Sequence, residues 1–257
     1  MKFPERLPRP PWGALAYHRL DARGDGAMLP GVVFLGGFRS DMSGSKALFL
    51  EDWCRARGRA FLRFDYTGHG ASDGAFEDGT ISSWAGDAEE AVAALTTGPQ
   101  VLVGSSMGGW IALLLARKLP ERVAAFVGIA AAPDFTEDLI WPALSATQRA
   151  ALMEVGRIEL PSAYDEAPTP ITCALIEDGK RACVLRDPLA LPGPVRLLHG
   201  TADADVPQSV ALRLLDHLDA TDIQLTLVKG AGHRFSEPTE LALLGETLAG
   251  LDPRLGS

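Results

Sequence analysis

Val101-Leu102-Val103-Gly104-Ser105-Ser106-Met107-Gly108-Gly109-Trp110-Ile111-Ala112-Leu113-Leu114-Leu115-Ala116 is the stretch that decides the fold. An apolar run enters a G-x-S-x-G pentad, and an apolar, helix-prone run leaves it. That is the strand, sharp turn and helix that the pentad requires before it carries meaning. Glycines at 104 and 108 remove Cβ atoms that would clash in so tight a turn. Ser106 at the tip is then exposed at the positive end of the following helix, where negative charge developing nearby is favoured. The alternative is a Gly-rich turn of a nucleotide-binding fold. Against it, no G-x-G-x-x-G follows any predicted strand. Gly68-His69-Gly70-Ala71-Ser72-Asp73-Gly74 comes nearest, with its third glycine one place late, and no G-x-x-x-x-G-K-[ST] occurs.

Outward from the pentad, strand and helix patterns alternate. Strands are predicted at 14–20, 31–35, 60–65, 101–103, 122–130, 195–199 and 223–228. Helices are predicted at 43–58, with Ser43 as N-cap, and at 83–95, 107–119, 208–218 and 239–251. This alternation implies a mainly parallel sheet covered by helices on both faces, with the chemistry at the carboxyl ends of the strands. One segment, about 134–191, breaks the rhythm between two sheet strands. Its apolar residues Leu139, Ile140, Trp141, Leu144, Leu152 and Met153 need something to cover, so it reads as a cap inserted over the site and not as a long loop. The expected organisation is one domain over 1–257 with that cap.

Composition narrows the function. The chain has 257 residues, 47% of them hydrophobic and 22% charged, which is enough for a sizeable core. A net charge of −9 leaves no basic patch to neutralise phosphates, so nucleic acid is not an expected partner. Cys54, Cys173 and Cys183 match no zinc spacing, and no H-E-x-x-H is present, so neither a metal nor another cofactor is implied. The odd cysteine count fits a reducing compartment. Residues 1–11 contain no apolar signal-peptide core and no transit-like segment, and no run is long enough to span a membrane. A cytoplasmic protein is expected.

A serine hydroxyl is a poor nucleophile until a base takes its proton, and the base needs an orienting acid. Among five histidines, His233 is the best placed. It follows the last predicted strand through Lys229-Gly230-Ala231-Gly232, whereas His18 lies in the first strand, His199 ends a strand, His217 is late on a helix, and His69, in its Gly-rich turn, either lines the site or, as such residues more often are, is solvated. The acid should lie between serine and histidine. Asp203, just past strand 195–199, is preferred. Asp205 reads as a helix cap, and Asp134, after strand 122–130, is a further candidate. The oxyanion donors are expected to be the backbone N–H groups of Met107 and of Phe38, in Leu35-Gly36-Gly37-Phe38.

Ser106, Asp203 and His233, with Gly36-Gly37-Phe38 and Phe64-Asp65-Tyr66-Thr67-Gly68-His69-Gly70, resemble the α/β-hydrolase superfamily over nearly the whole chain. Three stretches are similar to its mitochondrial acyl-thioesterase group, which removes palmitoyl groups from protein cysteines and cleaves acyl glucuronides. They are Ser40-Asp41-Met42-Ser43-Gly44-Ser45-Lys46-Ala47, Arg63-Phe64-Asp65-Tyr66 and residues 98–110. The resemblance implies an α/β-hydrolase fold with nucleophile Ser106, acid Asp203 and base His233. In the cap it is carried only by Leu160-Pro161-Ser162-Ala163-Tyr164.

The expected activity is therefore hydrolysis of an ester or thioester through an acyl-enzyme, on a small acyl ester or thioester or an acylated protein. A serine peptidase, a small-ester carboxylesterase and a non-catalytic binding protein on the same fold are the rivals. Arg39 departs from the thioesterase group, which carries an apolar residue there. It is either a binder of a substrate carboxylate or a surface arginine paired with a carboxylate such as Asp41. Trp84 and Trp110 read as packing residues, and Lys46 and Asp41 as groups that fix a loop.

Overall fold

Unbroken runs of aliphatic residues in the middle of the chain make strands buried on both faces, as a parallel sheet between helices requires. The computed structural model describes residues 3–11, 13–161 and 167–255. Its strands are β1 (Glu5–Pro8), β2 (Ala14–Leu20), β3 (Gly31–Leu35), β4 (Phe61–Phe64), β5 (Gln100–Ser105), β6 (Val123–Ile129), β7 (Arg157–Leu160), β8 (Thr169–Thr172), β9 (Leu189–Ala190), β10 (Val195–Gly200), β11 (Leu218–Asp219) and β12 (Ile223–Val228). The helices are α1 (Ser45–Ala56), α2 (Ile81–Leu95), α3 (Met107–Lys118), α4 (Trp141–Ala143), α5 (Ala146–Val155), α6 (Cys173–Arg181), α7 (Gln208–His217) and α8 (Pro238–Leu255). A main sheet of eight strands runs β1-β2-β4-β3-β5-β6-β10-β12. It is antiparallel at β1–β2 and β2–β4 and parallel from β4 onward.

Alternation along the strands divides the core. Val33, Leu35 and Leu102 face one layer with Trp84 and Trp110, whereas Val32, Val101 and Val103 face the other with Leu50 and Leu248. Between β6 and β10 the chain forms a π-helical turn (Thr136–Ile140) continuous with α4, then α5, the antiparallel hairpin β7–β8, and α6. Leu144, Leu152, Ile171 and Leu175 of this segment are buried in the same cluster as Trp110. Met153 is not; it is 57% exposed. Of the stretch 160–164, residues 162–164 lie outside the described residues.

One local reading needs correction. Ser43 does not cap α1, because its N–H and hydroxyl are both engaged by the Asp41 carboxylate, and the helix starts after Gly44 with no side-chain cap. The Pro-rich N-terminal stretch supplies an edge strand, β1, where proline is tolerated. Among the described residues no helix is long and apolar enough to cross a membrane, and the three cysteines are free.

Candidate active site

β5 ends at Ser105 and α3 begins at Met107, so Ser106 alone makes the turn, with φ 54° and ψ −120°. A non-glycine residue in the left-handed region costs about 1–2 kcal/mol, and here it is held by its neighbours. The Ser106 N–H donates to the Ile129 carbonyl at 3.0 Å, and its carbonyl accepts from the Gly109 and Ala132 N–H groups at 2.9 and 3.0 Å. A Cβ at Gly104 would stand 2.4 Å from the Gly108 oxygen, and one at Gly108 would stand 2.0 Å from the Leu35 oxygen. Only glycine lets the helix press this closely on β5 and on the end of β3.

Two loops at the carboxyl ends of neighbouring parallel strands bring the other groups in. The loop after β10 carries Asp203 and the loop after β12 carries His233. They are joined by hydrogen bonds from the Ala202 N–H to the Ala231 carbonyl and from the Gly230 N–H to Thr201 Oγ1, both 2.9 Å. His233 Nδ1 lies 2.9 Å from Asp203 Oδ2, and His233 Nε2 lies 3.1 Å from Ser106 Oγ. An ionised carboxylate only accepts, so Nδ1 carries the ring proton and Nε2 is free to accept from the serine hydroxyl. The Asp203 side chain is fully buried. Burial alone would raise its pKa, but the bond from His233 and the Val206 and Asp205 N–H groups, at 2.8 and 3.0 Å, hold it below the ordinary value.

The surrounding shell fixes both loops. His199 is buried behind Asp203, 3.6 Å from its carboxylate, and donates from Nε2 to the Val206 carbonyl at 3.0 Å. Burial lowers its pKa, against the Val206 hydrogen bond and the Asp203 charge, which raise it. The Lys46 ammonium donates to the Arg234 carbonyl, one residue past His233. Burial brings Lys46 down to about 8, with Glu240 opposing the shift and Arg234 adding to it.

The two other acids occupy different positions. Asp134, also fully buried, accepts from the Val184 and Leu185 N–H groups at 2.8 and 3.0 Å and pairs with Arg186 at 3.1 Å, which ties the end of β6 to the chain after α6. Asp205 is exposed at the rim of the cavity, and the residue capping α7 is Pro207. Asp203, Asp205 and His233 offer three ligand atoms within 4.8 Å of one another, the sole such group among the described residues. Two of the three are already bonded to each other, which suits proton transfer better than metal ligation.

His69 departs from expectation. It is 3% exposed, not solvated, and its ring lies 5.1–5.6 Å from those of Tyr66, Phe76 and Trp84. Burial lowers its pKa to about 4 against a bond to the Thr67 carbonyl, and Nε2 has no partner among the described residues. The signal in the sequence was the aromatic content of 66–84, whose convergence no local pattern reveals.

Phe38 and Met107 flank Ser106. Met107 opens α3, where the first N–H groups have no intrahelical acceptor. A Cβ at Gly37 would come 3.4 Å from Ser106 Cβ, so the loop carrying Phe38 lies against the serine. The Phe38 ring packs on Phe76, Trp84 and Phe135 at 5.0–5.8 Å. Arg39, with φ 56°, reaches the start of β8: its Nη1 donates to the Pro168 carbonyl at 2.9 Å and to Thr169 Oγ1 at 3.1 Å. Above Ser106 and His233 lies a cavity of about 560 Å³. Phe135, Leu139, Ile140, Leu160 and Ile171 make its apolar wall, and Arg39, Asp41, Lys46, Asp205 and Arg234 its polar side.

Palmitoyl-protein thioesterase ABHD10, mitochondrial, from Bos taurus is 36% identical over 252 residues, covering 98% of this chain and 80% of that protein. Its Mus musculus counterpart is 37% identical over 244 residues, covering 95% and 80%. Among solved structures, alpha/beta hydrolase domain-containing protein 10 from mouse superposes with a TM-score of 0.89 at 36% identity, over 98% of this chain and 99% of that one. A putative hydrolase from Agrobacterium vitis S4 gives 0.89 at 42% identity over 93% of each. The mitochondrial names of these relatives overturn the cytoplasmic expectation. Free thiols suit a reducing milieu, and they do not distinguish one such compartment from another. Residues 32–242 match the family model described as the alpha/beta hydrolase family, and with these relatives spanning nearly its whole length the chain belongs to that family.

Proposed function

We propose that the chain is a serine hydrolase that cleaves ester or thioester bonds, with Ser106 as nucleophile, His233 as general base and acid, and Asp203 as the orienting acid. The observation that carries the proposal is the unbroken chain of contacts from Ser106 Oγ to His233 Nε2 at 3.1 Å and from His233 Nδ1 to Asp203 Oδ2 at 2.9 Å. Ser106 Oγ attacks the acyl carbonyl as its proton passes to His233 Nε2. The buried Asp203 carboxylate stabilises the imidazolium. The oxyanion of the tetrahedral intermediate accepts from the Met107 and Phe38 N–H groups. Collapse breaks the bond to the leaving oxygen or sulfur, which takes the proton from His233 and departs. Water then repeats the sequence on the acyl-serine, giving the free acid and restoring the hydroxyl.

The apolar wall suits the acyl chain and the polar side suits the leaving group. The names of the thioesterase relatives favour thioesters, including those of acylated proteins. Fluorophosphonate labelling followed by mass mapping tests the nucleophile without a chosen substrate: the label should fall on the peptide holding Ser106 and vanish in Ser106→Ala. Turnover of acyl thioesters beside a nitrophenyl ester series of rising chain length then separates a thioesterase from a small-ester carboxylesterase. Equal absence of label from both proteins would favour a non-catalytic binding protein.

A further inference from the structure

We infer that Arg39 is a strap that holds the cap hairpin β7–β8 against the loop after β3, and that it thereby sets which acyl chains the cavity accepts. The selectivity clause rests on the ester-hydrolase reading above. The hairpin is a two-stranded sheet separate from the main sheet. Such a pair is marginal by itself and must be anchored from outside. Its inner end is anchored by Ile171, which is buried in the core and pairs with Ile158. At its outer end Leu160 pairs with Thr169, and Leu160 and Ile171 both face the cavity.

Arg39 holds that outer end. Its Nη1 donates to the Pro168 carbonyl and to Thr169 Oγ1, with the Ala167 carbonyl at 3.4 Å. The backbone beneath it is built for the purpose at a cost. Residues 37–40 form a turn closed by the Ser40 N–H on the Gly37 carbonyl at 3.1 Å, and Arg39 sits at its third position with φ 56°. Glycine or asparagine would take that position with least strain. A long cationic side chain there is compensated by the cross-cavity hydrogen bonds. Because the loop also carries Phe38, the strap fixes the distance between the apolar wall and the proposed oxyanion site.

The test compares the parent chain with Arg39→Asn, which keeps the left-handed turn but lacks the reach, and with Arg39→Lys, which keeps the charge but not the forked donor. Substrates are 4-nitrophenyl acetate, 4-nitrophenyl dodecanoate and a dodecanoyl ester with a carboxylate on its leaving group. Losing charge-assisted but solvent-facing hydrogen bonds should lower the dodecanoate-to-acetate ratio of kcat/KM about fivefold in Arg39→Asn, mainly through KM, with partial recovery in Arg39→Lys. Backbone amides of 157–160 and 169–172 should exchange faster with deuterium in Arg39→Asn. A loss confined to the carboxylate-bearing ester would overturn the strap and make Arg39 a substrate contact. An unchanged ratio with unchanged exchange would overturn it as well. If the parent chain turns over no ester, the hydrolase reading fails, and the exchange comparison still decides whether Arg39 holds the hairpin.

Discussion

Asp203 and Asp134 are both fully buried carboxylates at the ends of adjacent parallel strands, and their partners separate their roles. Asp203 accepts from His233, whereas Asp134 accepts from two backbone amides and an arginine. Asp203→Asn should lower kcat by orders of magnitude, because the amide no longer favours the Nδ1–H tautomer, and should leave the fold intact. Asp134→Asn should lower the unfolding free energy by about 2 kcal/mol or more, since it strips charge from a buried three-donor site, with a smaller effect on kcat. Steady-state kinetics and urea denaturation of both variants check this, and the reverse pattern would move the acid to Asp134. His69 makes a second prediction. Its folded pKa of about 4 lies below the 6.5 of an unperturbed ring, so between those values the unfolded chain binds the proton and the folded chain does not. This contribution to stability is therefore fully present above pH 6.5 and is lost as pH falls toward 4, by about 3 kcal/mol. His199 shifts in the same direction. His69→Phe keeps the ring contacts and removes the proton site, so its urea midpoint should fall less between pH 6.5 and 4 than that of the parent; an identical fall would show that His69 does not carry the effect.

At the scale of elements, the elbow is where sequence and structure agree most closely, because its constraint is local. A Cβ at Gly108 would meet backbone atoms, not a side chain that can turn aside. Gly108→Ala should cost more than about 3 kcal/mol and abolish activity, by driving α3 away from β3 and the Phe38 loop. Gly98→Ala is the control: φ is +68° but nothing lies within 4 Å, so about 1 kcal/mol is expected. Thermal unfolding of the two variants separates collision from backbone strain. Strands 31–35 and 223–228 were legible to the residue, the first as a buried aliphatic run and the second as a part-exposed edge strand whose Ile223, Leu225 and Leu227 alternate with polar neighbours. The approach of Asp203 to His233 was legible as well, because each follows a strand of one parallel sheet. Contacts between distant segments were not. The motif Phe64-Asp65-Tyr66 gives no hint that the Asp65 carboxylate holds the Met42 and Ala71 N–H groups at 2.6 and 2.8 Å. Nor does Arg39 announce that its partners lie about 130 residues away in the cap.

For the whole molecule, the segment between β6 and β10, which we propose is the cap, is either a module or part of one cooperative unit. Its attachments favour one unit. Phe135 packs on Trp110 and on Phe38 at 5.5 and 5.6 Å, and Trp110 Nε1 donates to the Ala182 carbonyl at 3.2 Å. The Ser82 N–H at the start of α2 donates to the Asp178 carboxylate at 2.7 Å. These contacts bury Leu144, Leu152, Ile171 and Leu175 in the cluster that also holds Leu102 and Trp84. Removing the cap would open that cluster to water, so the cap cannot melt without taking one face of the sheet with it. Chains of this size often populate intermediates, which makes the expectation a demanding one. Urea unfolding followed by far-ultraviolet circular dichroism and by tryptophan fluorescence, with Trp141 in the cap and Trp53, Trp84 and Trp110 in the body, should give coincident transitions. A fluorescence change at lower urea that disappears in Trp141→Phe would show the cap unfolding first and would divide the chain into two cooperative units.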